Sequence, residues 1–283
     1  MAETSKESAV YQEQTHSPTA SQIGQVLAVM SGKGGVGKSS ITGLLASSLR
    51  RRDFQVGVLD ADITGPSIPK IFGAQQTLMA GPEGPMPVES ATGIKLISVN
   101  LILADEGQAV VWRGPMISKV IEQFWRDIVW GKLDYLIVDL PPGTSDAALT
   151  VMQSLPLNGI VLVTSPQDLA GMVVRKAANM AVQIGVPMLG LVENMSFLTC
   201  PECQTRIEAY GPSQATETAR QVGLDMLGSL PLDPDLAVMC DRGKVEEYRL
   251  KAFETIVDKI LEMEPAKLSD EVSSQARASG FAV

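Results

Sequence analysis

Residues 27–45 read LAVMSGKGGVGKSSITGLL: an apolar run, a glycine-rich stretch, then a segment with apolar residues at helical spacing. From Gly32 onward it fits the phosphate-loop pattern G-x-x-x-x-G-K-[ST], with Gly32, Gly37, Lys38 and Ser39 in the required places. Glycines at 32, 34, 35 and 37 let successive backbone N–H groups, with those of Val36 and Ser40, converge on phosphate oxygens. The start of the following helix adds the positive end of its dipole. Lys38 then neutralises the β- and γ-phosphates, and the Ser39 hydroxyl is placed to ligate magnesium. One residue is left over: Lys33, a second lysine that the pattern does not need.

Outward from this stretch, short apolar runs alternate with segments of helical period. The runs are 25–30, 55–60, 94–101, 134–140, 159–165, 188–194 and 226–232. Between them Ile41, Leu44, Leu45 and Leu49 line one helix face, as do Ile117, Ile121 and Trp125. This predicts an α/β fold, a doubly wound and mostly parallel sheet with helices on both faces and ligands beyond the carboxyl ends of the strands. VLDAD puts Asp60 and Asp62 at one strand end, and LIVDLPPGTSD puts Asp139 at another. A carboxylate fixed there suits a direct or water-mediated magnesium ligand; the other reading of each is a helix cap or a solvated loop charge. After Asp139, Pro141 and Pro142 stiffen a segment whose Gly143 N–H is placed to sense a γ-phosphate, making this loop a conformational switch.

Composition bounds the rest. The 283 residues, 45% hydrophobic, suffice for one large domain, expected over 25–264 between mobile tails at 1–24 and 265–283. No apolar run approaches a membrane span, and the first residues lack a secretory core and any arginine, so a cytoplasmic address is expected. A net charge of -9 repels phosphate backbones and anionic membranes, so neither nucleic acid nor membrane is expected as a partner. The single histidine, His16, lies in the N-terminal tail, which excludes Ser-His-Asp and Cys-His schemes. A stripe from Val245 through Tyr248 and Phe253 to Leu261 carries an acidic polar face, which favours docking on the domain over membrane binding. Of the three cysteines, Cys240 reads as a small buried hydrophobe, and Cys200-x-x-Cys203 points to metal or redox chemistry.

GKGGVGKSS resembles the deviant phosphate loop of the MinD/ParA-like ATPases, which share a lysine at the place of Lys33. DADITGPSIPK, WRGPM, DYLIVDLPPGTSD, VENMSF followed by CPEC, and GSLPLDPDL together resemble, in order, the Mrp/ApbC family of iron-sulfur cluster carrier ATPases, from Val26 to Lys244. The resemblance implies a homodimer that sandwiches ATP, with Lys33 reaching the nucleotide of the partner subunit as an arginine finger does. It also implies that Asp62 orients the attacking water, Asp139 holds magnesium through water, and Asn194 hydrogen-bonds adenine. The activity implied is slow Mg-dependent ATP hydrolysis coupled to delivery of a cluster to apo iron-sulfur proteins.

Two thiolates cannot complete a four-ligand site, but Cys200 and Cys203 from each half of a two-fold dimer can. A 4Fe-4S cluster fits such a cage and is what the resemblance implies; structural zinc and a redox dithiol remain the other readings. Gln204 stands where many family members have glycine, a departure that bears on the turn's backbone geometry, and Ser145 replaces the glycine of the family's PPGTGD. Trp112 and Arg113 fall in a family motif without assigned chemistry beyond a place at an interface. The rival functions are a positioning ATPase of the MinD or ParA kind, which the charge disfavours, and a zinc-stapled nucleotide switch.

Overall fold

The apolar runs become parallel strands because each is buried on both faces and so has no polar side to turn to water. The computed structural model describes residues 21–63, 65–102, 114–144, 146–166 and 170–263. In chain order the elements are β1 (Gln22–Ser31), α1 (Lys38–Arg51), β2 (Val56–Asp60), α2 (Ile68–Phe72), β3 (Met79–Gly81), β4 (Gly84–Met86), β5 (Val88–Glu89) and β6 (Lys95–Ile97). They continue with α3 (Gly114–Arg126), β7 (Lys132–Asp139), α4 (Asp146–Ser154), β8 (Gly159–Thr164), α5 (Ala170–Ile184) and β9 (Met188–Thr199). The last are β10 (Arg206–Ile207), α6 (Ala215–Gln221), β11 (Met226–Pro231), α7 (Pro234–Asp241) and α8 (Lys251–Glu262).

A nine-stranded sheet runs β10-β9-β8-β1-β7-β2-β6-β5, with β11 also on β9, and all its pairings are parallel except β5 with β6 and β10 with β9. Strand β1 sits centrally, with β7 and β8 on its two sides, so the phosphate loop leaves the sheet where a doubly wound fold opens its ligand crevice. Period-two alternation sorts β1 between the two faces: Leu27 and Val29 pack with α1, α2, α7 and α8, while Val26, Ala28 and Met30 pack with α3 to α6. Trp130 is fully buried, and its indole N–H donates to the Phe124 carbonyl at 3.0 Å.

Three boundaries differ from the sequence expectation. Strand β1 begins at Gln22, inside the stretch expected as a tail; residues 1–20 and 264–283 lie outside the described residues. The run 94–101 is a strand only to Ile97, because the buried Ser98 hydroxyl accepts from the Asn100 N–H and starts a 3-10 turn at Val99–Leu101. The terminal stripe divides into a 3-10 turn, Val245–Glu247, and α8. Between them Tyr248 is extended, and its hydroxyl donates to Asp233, the N-cap of α7, at 2.5 Å.

Helix α8 docks on the domain as its stripe predicts, burying Phe253, Ile256, Val257 and Ile260. Its Glu254 accepts from Ser48 at 2.5 Å, Arg51 at 2.6 Å and Arg52 at 3.0 Å on or just after α1. Burial pushes that carboxyl up, but the hydrogen bonds from Ser48, Arg51 and Arg52 outweigh it and hold it at about 2.

Candidate nucleotide site and cysteine hairpin

Strand β1 delivers the chain into residues 32–37, and α1 opens at Lys38 with Gly37 as its N-cap in the left-handed region, φ 84°. A Cβ on Gly37 would also lie 2.3 Å from Asn194 Nδ2, so the position needs glycine twice over. No acidic residue occupies the first turn of α1, which leaves its dipole end to an anion. The Ser31 hydroxyl donates to the Lys33 carbonyl at 2.9 Å and braces the loop from below. A cavity of about 220 Å³ lies at the loop, lined by Gly34, Gly35, Gly37, Lys38, Ser39 and Ser40 together with Asp62 and Pro142. Lys33 is not in that wall.

Asp139, fully buried at the end of β7, gathers the loop's polar side chains. Its Oδ2 is 2.7 Å from Lys38 Nζ and accepts from the Ser39 hydroxyl at 2.6 Å. Its Oδ1 accepts from Thr42 Oγ1, also at 2.6 Å. Thr42 was not singled out from the sequence, although Lys38, Ser39 and Thr42 share one helix face at spacings of three and four. The donor set of Ser39 and Asp139 is all hard oxygen, which suits magnesium.

Asp60 lies beside Asp139 in the register but serves the chain itself. Its Oδ2 accepts from the Ser67 and Ile68 N–H groups at 3.1 and 3.2 Å and from the Ser98 hydroxyl at 3.1 Å; its Oδ1 accepts from the Asp62 N–H at 3.2 Å. It therefore anchors the start of α2, which is the helix-cap reading of this residue. Burial, and then the charge of Asp139, push its carboxyl up to about 8 against the pull of Lys38. The Gly143 N–H, expected at a phosphate, donates instead to the Ser31 carbonyl at 2.8 Å. Asn194, expected at adenine, is buried with Nδ2 donating to the Val36 carbonyl at 2.9 Å. Glu193 beside it is 2% exposed and accepts from Ser196 and Ser213; it ends an apolar run just as Asp60 and Asp139 do, a signal the sequence carried.

Cys200 and Cys203 lie apart from this cluster, in the turn between β9 and β10, which pair antiparallel through Thr199 with Arg206 and Leu198 with Ile207. The Cys200 N–H donates to the Thr205 carbonyl at 2.9 Å, and the Gln204 N–H to the Cys200 carbonyl at 2.9 Å. The Arg206 guanidinium stacks 3.7 Å from the Phe197 ring centroid across the base of the turn. Cys203 is exposed, and its hydrogen bond with Thr205, then that with Cys200, lowers its thiol to about 7. Among the described residues no group of three or more His, Cys, Asp or Glu is placed to hold a metal.

The family model for ParA, NUBPL iron-transfer P-loop NTPase, matches residues 22–263. The chain belongs to this family. A relative from Clostridium perfringens named iron-sulfur cluster carrier protein is 44% identical over 234 residues, covering 80% of this chain and 82% of that one. A Yarrowia lipolytica relative named cytosolic Fe-S cluster assembly factor CFD1 is 38% identical over 282 residues, covering 93% and 97%. Among solved structures, a nucleotide-binding protein from Archaeoglobus fulgidus in complex with ADP superposes with a TM-score of 0.75 at 44% identity, over 82% of this chain and 91% of that chain. The cell division ATPase MinD of Pyrococcus furiosus, at 18% identity and a TM-score of 0.63, shares the fold.

Within this iron-transfer NTPase, Gln204 takes the left-handed conformation that favours glycine, with φ 59°. The turn's hydrogen bonds are thus kept at the expense of a strained L-residue. Gln204→Gly is expected to stabilise the metal-free protein by about 0.5–1 kcal/mol, since relief of the left-handed strain exceeds the added freedom of the unfolded chain. Urea denaturation checks this, and a lower midpoint in the variant contradicts it. Cys240, on α7, is buried 3.8 Å from Ser40 Oγ, and burial pushes its thiol up, as for a small hydrophobe. His16, Trp112, Arg113 and Ser145 lie outside the described residues.

Proposed function

We infer that the protein is a homodimeric Mg-dependent ATPase that carries an iron-sulfur cluster, held between Cys200 and Cys203 of two copies, to apo-proteins. The observation that carries this reading is the cysteine hairpin. It offers two thiols, one exposed and one partly so, on a turn whose backbone is already closed by hydrogen bonds, and one chain supplies half of a four-thiolate cage. Names of relatives as cluster carriers and as a cytosolic assembly factor support the cargo and a cytosolic setting. The net charge of -9 argues against nucleic acid or an anionic membrane as partner, and among the described residues no helix is long and apolar enough to cross a membrane.

At the nucleotide, Lys38 would turn from Asp139 to the phosphates, while Ser39 and Asp139 would hold a magnesium ion, which would supply charge neutralisation. Asp62, which lines the cavity, orients the attacking water, and Lys33 acts on the nucleotide of the partner subunit. Asn194 Oδ1 is the atom of that side chain left to recognise an adenine amine, since Nδ2 serves Val36. With no histidine among the described residues and Asp139 engaged, no group described at the site is an efficient general base, so turnover is slow and serves timing.

Anaerobic reconstitution with iron and sulfide tests the cargo. About four irons and four sulfides per dimer are expected, lost together with the visible absorbance in Cys203→Ser. Stoichiometric zinc without labile sulfide overturns the cluster reading and leaves a zinc-stapled nucleotide switch.

A further inference from the structure

Strand β9 reaches both centres. Midway along it Asn194 holds the Val36 carbonyl of the phosphate loop, and six residues on, about 20 Å along an extended chain and just past the strand's end, stands Cys200. Between them the strand is irregular. Glu193 pairs with Ser229 of β11, yet Phe197 pairs with Pro231, so β9 carries two more residues than its partner over this interval, a bulge at 194–196. At its centre Met195 has φ 58°, left-handed for a residue with a side chain, and its Cε lies 3.6 Å from where a Cβ on Gly37 would stand.

The bulge is tied to the chain that returns from the cysteine hairpin. The Glu193 carboxylate accepts from Ser196 Oγ at 2.6 Å on one oxygen and from Ser213 Oγ at 2.8 Å on the other. The Ser213 hydroxyl itself accepts from the Ala215 N–H that opens α6, at 3.2 Å. One buried carboxylate therefore clamps both the outgoing and the returning limb of the excursion that displays the cysteines. Beyond the bulge, the Leu232 N–H donates to the Phe197 carbonyl at 2.7 Å and fixes the outgoing limb again.

We propose that this bulge couples nucleotide binding at the phosphate loop to the order of the cysteine hairpin within a single subunit, with Met195 as the strained hinge and Glu193 and Ser213 as positioning residues. Nucleotide reorients the peptide units around Val36 and Gly37, Asn194 follows the Val36 carbonyl, and the clamp passes the shift to both limbs. The purpose of the coupling rests on the reading of Cys200 and Cys203 as the cargo site; its existence does not.

Amide hydrogen exchange over 197–207 tests it on the full metal-free chain, without nucleotide, with MgADP, and with Mg and a non-hydrolysable ATP analogue. Protein is kept dilute enough to stay as single copies. Nucleotide is expected to change hairpin exchange by at least about fivefold in the native protein, the low end of ordinary allosteric coupling. The change should fall below about twofold in Ser213→Ala and in Met195→Gly, with MgADP affinity held within about threefold, and persist in Met195→Leu. A native response below twofold, or a full response surviving in Ser213→Ala, overturns the proposal, and Ser213→Ala decides alone if Met195→Gly does not fold. Failed cluster loading with an intact exchange response removes the cargo reading and leaves the coupling; loading with a flat response does the reverse.

Discussion

Lys38→Ala is expected to remove ATP turnover and also to destabilise the nucleotide-free protein by about 3 kcal/mol or more. The second effect follows from burial. Lys38 is 6% exposed and Asp139 0%, with nitrogen and oxygen 2.7 Å apart, so deleting the lysine leaves a carboxylate in the sheet with no opposing charge. Ser39 and Thr42 still donate to it, which satisfies its lone pairs without neutralising it. Asp60 aggravates the loss. Lys38 lowers its carboxyl while burial and Asp139 raise it to about 8, so without the lysine the Asp60 carboxyl is pushed further up. A carboxyl raised in the folded state favours folding below its unfolded pKa, and that contribution is lost as pH rises through the folded value. The deficit of Lys38→Ala in urea melts should therefore widen as pH rises past about 8, where the native Asp60 carboxyl has finished titrating and the variant's has not. Adding Asp139→Asn to Lys38→Met should recover most of it, because a neutral pair is left. A loss below about 1 kcal/mol at every pH, with no recovery in the double variant, contradicts this account.

The parallel strands and the phosphate loop were legible in the sequence because they follow from short-range rules. A doubly buried strand must be continuously apolar, and a loop that points N–H groups at phosphates must be glycine-rich. What escaped was set by pairing. Strands β5 and β10 are two residues each, too short to show a period, and form only because β6 and β9 offer edges to pair with. The stop at Ser98 turns on a hydroxyl that caps a turn and donates to Asp60, a contact 38 residues away in sequence. Likewise Asp60 and Asp139 look alike as letters after an apolar run. Their difference comes from what lies opposite: backbone N–H groups at the start of α2 for one, and Lys38, Ser39 and Thr42 for the other.

The cysteine pair was legible as chemistry, and its setting was not. Gln204 gave reason to expect altered backbone at the turn, yet two backbone hydrogen bonds hold it in glycine's conformation. Glutamine there shows that the tertiary turn outweighs a local preference of about 1–2 kcal/mol. Met195 is a second such case, invisible in a run of residues that otherwise reads as strand.

Lys33→Ala is expected to slow ATP hydrolysis by about a thousandfold, in the range of a lost arginine finger, while leaving MgADP affinity nearly unchanged. The substitution keeps the backbone carbonyl that accepts from Ser31 at 2.9 Å, so the loop's own shape is not at stake. Lys33 is not among the residues lining its own chain's cavity. Mixing separates the two geometries. Asp62→Asn leaves Lys33 in place but removes the acid that lines the cavity with the phosphate loop. In a mixed dimer the Lys33→Ala subunit then has its own Lys38 and Asp62, and the lysine comes from the other copy. Random pairing makes about half the dimers mixed, each with one intact site, so two inactive variants should together regain about a quarter of the native rate. If the lysine acts within its own chain, no pairing assembles a complete site, and the mixture stays as slow as its components.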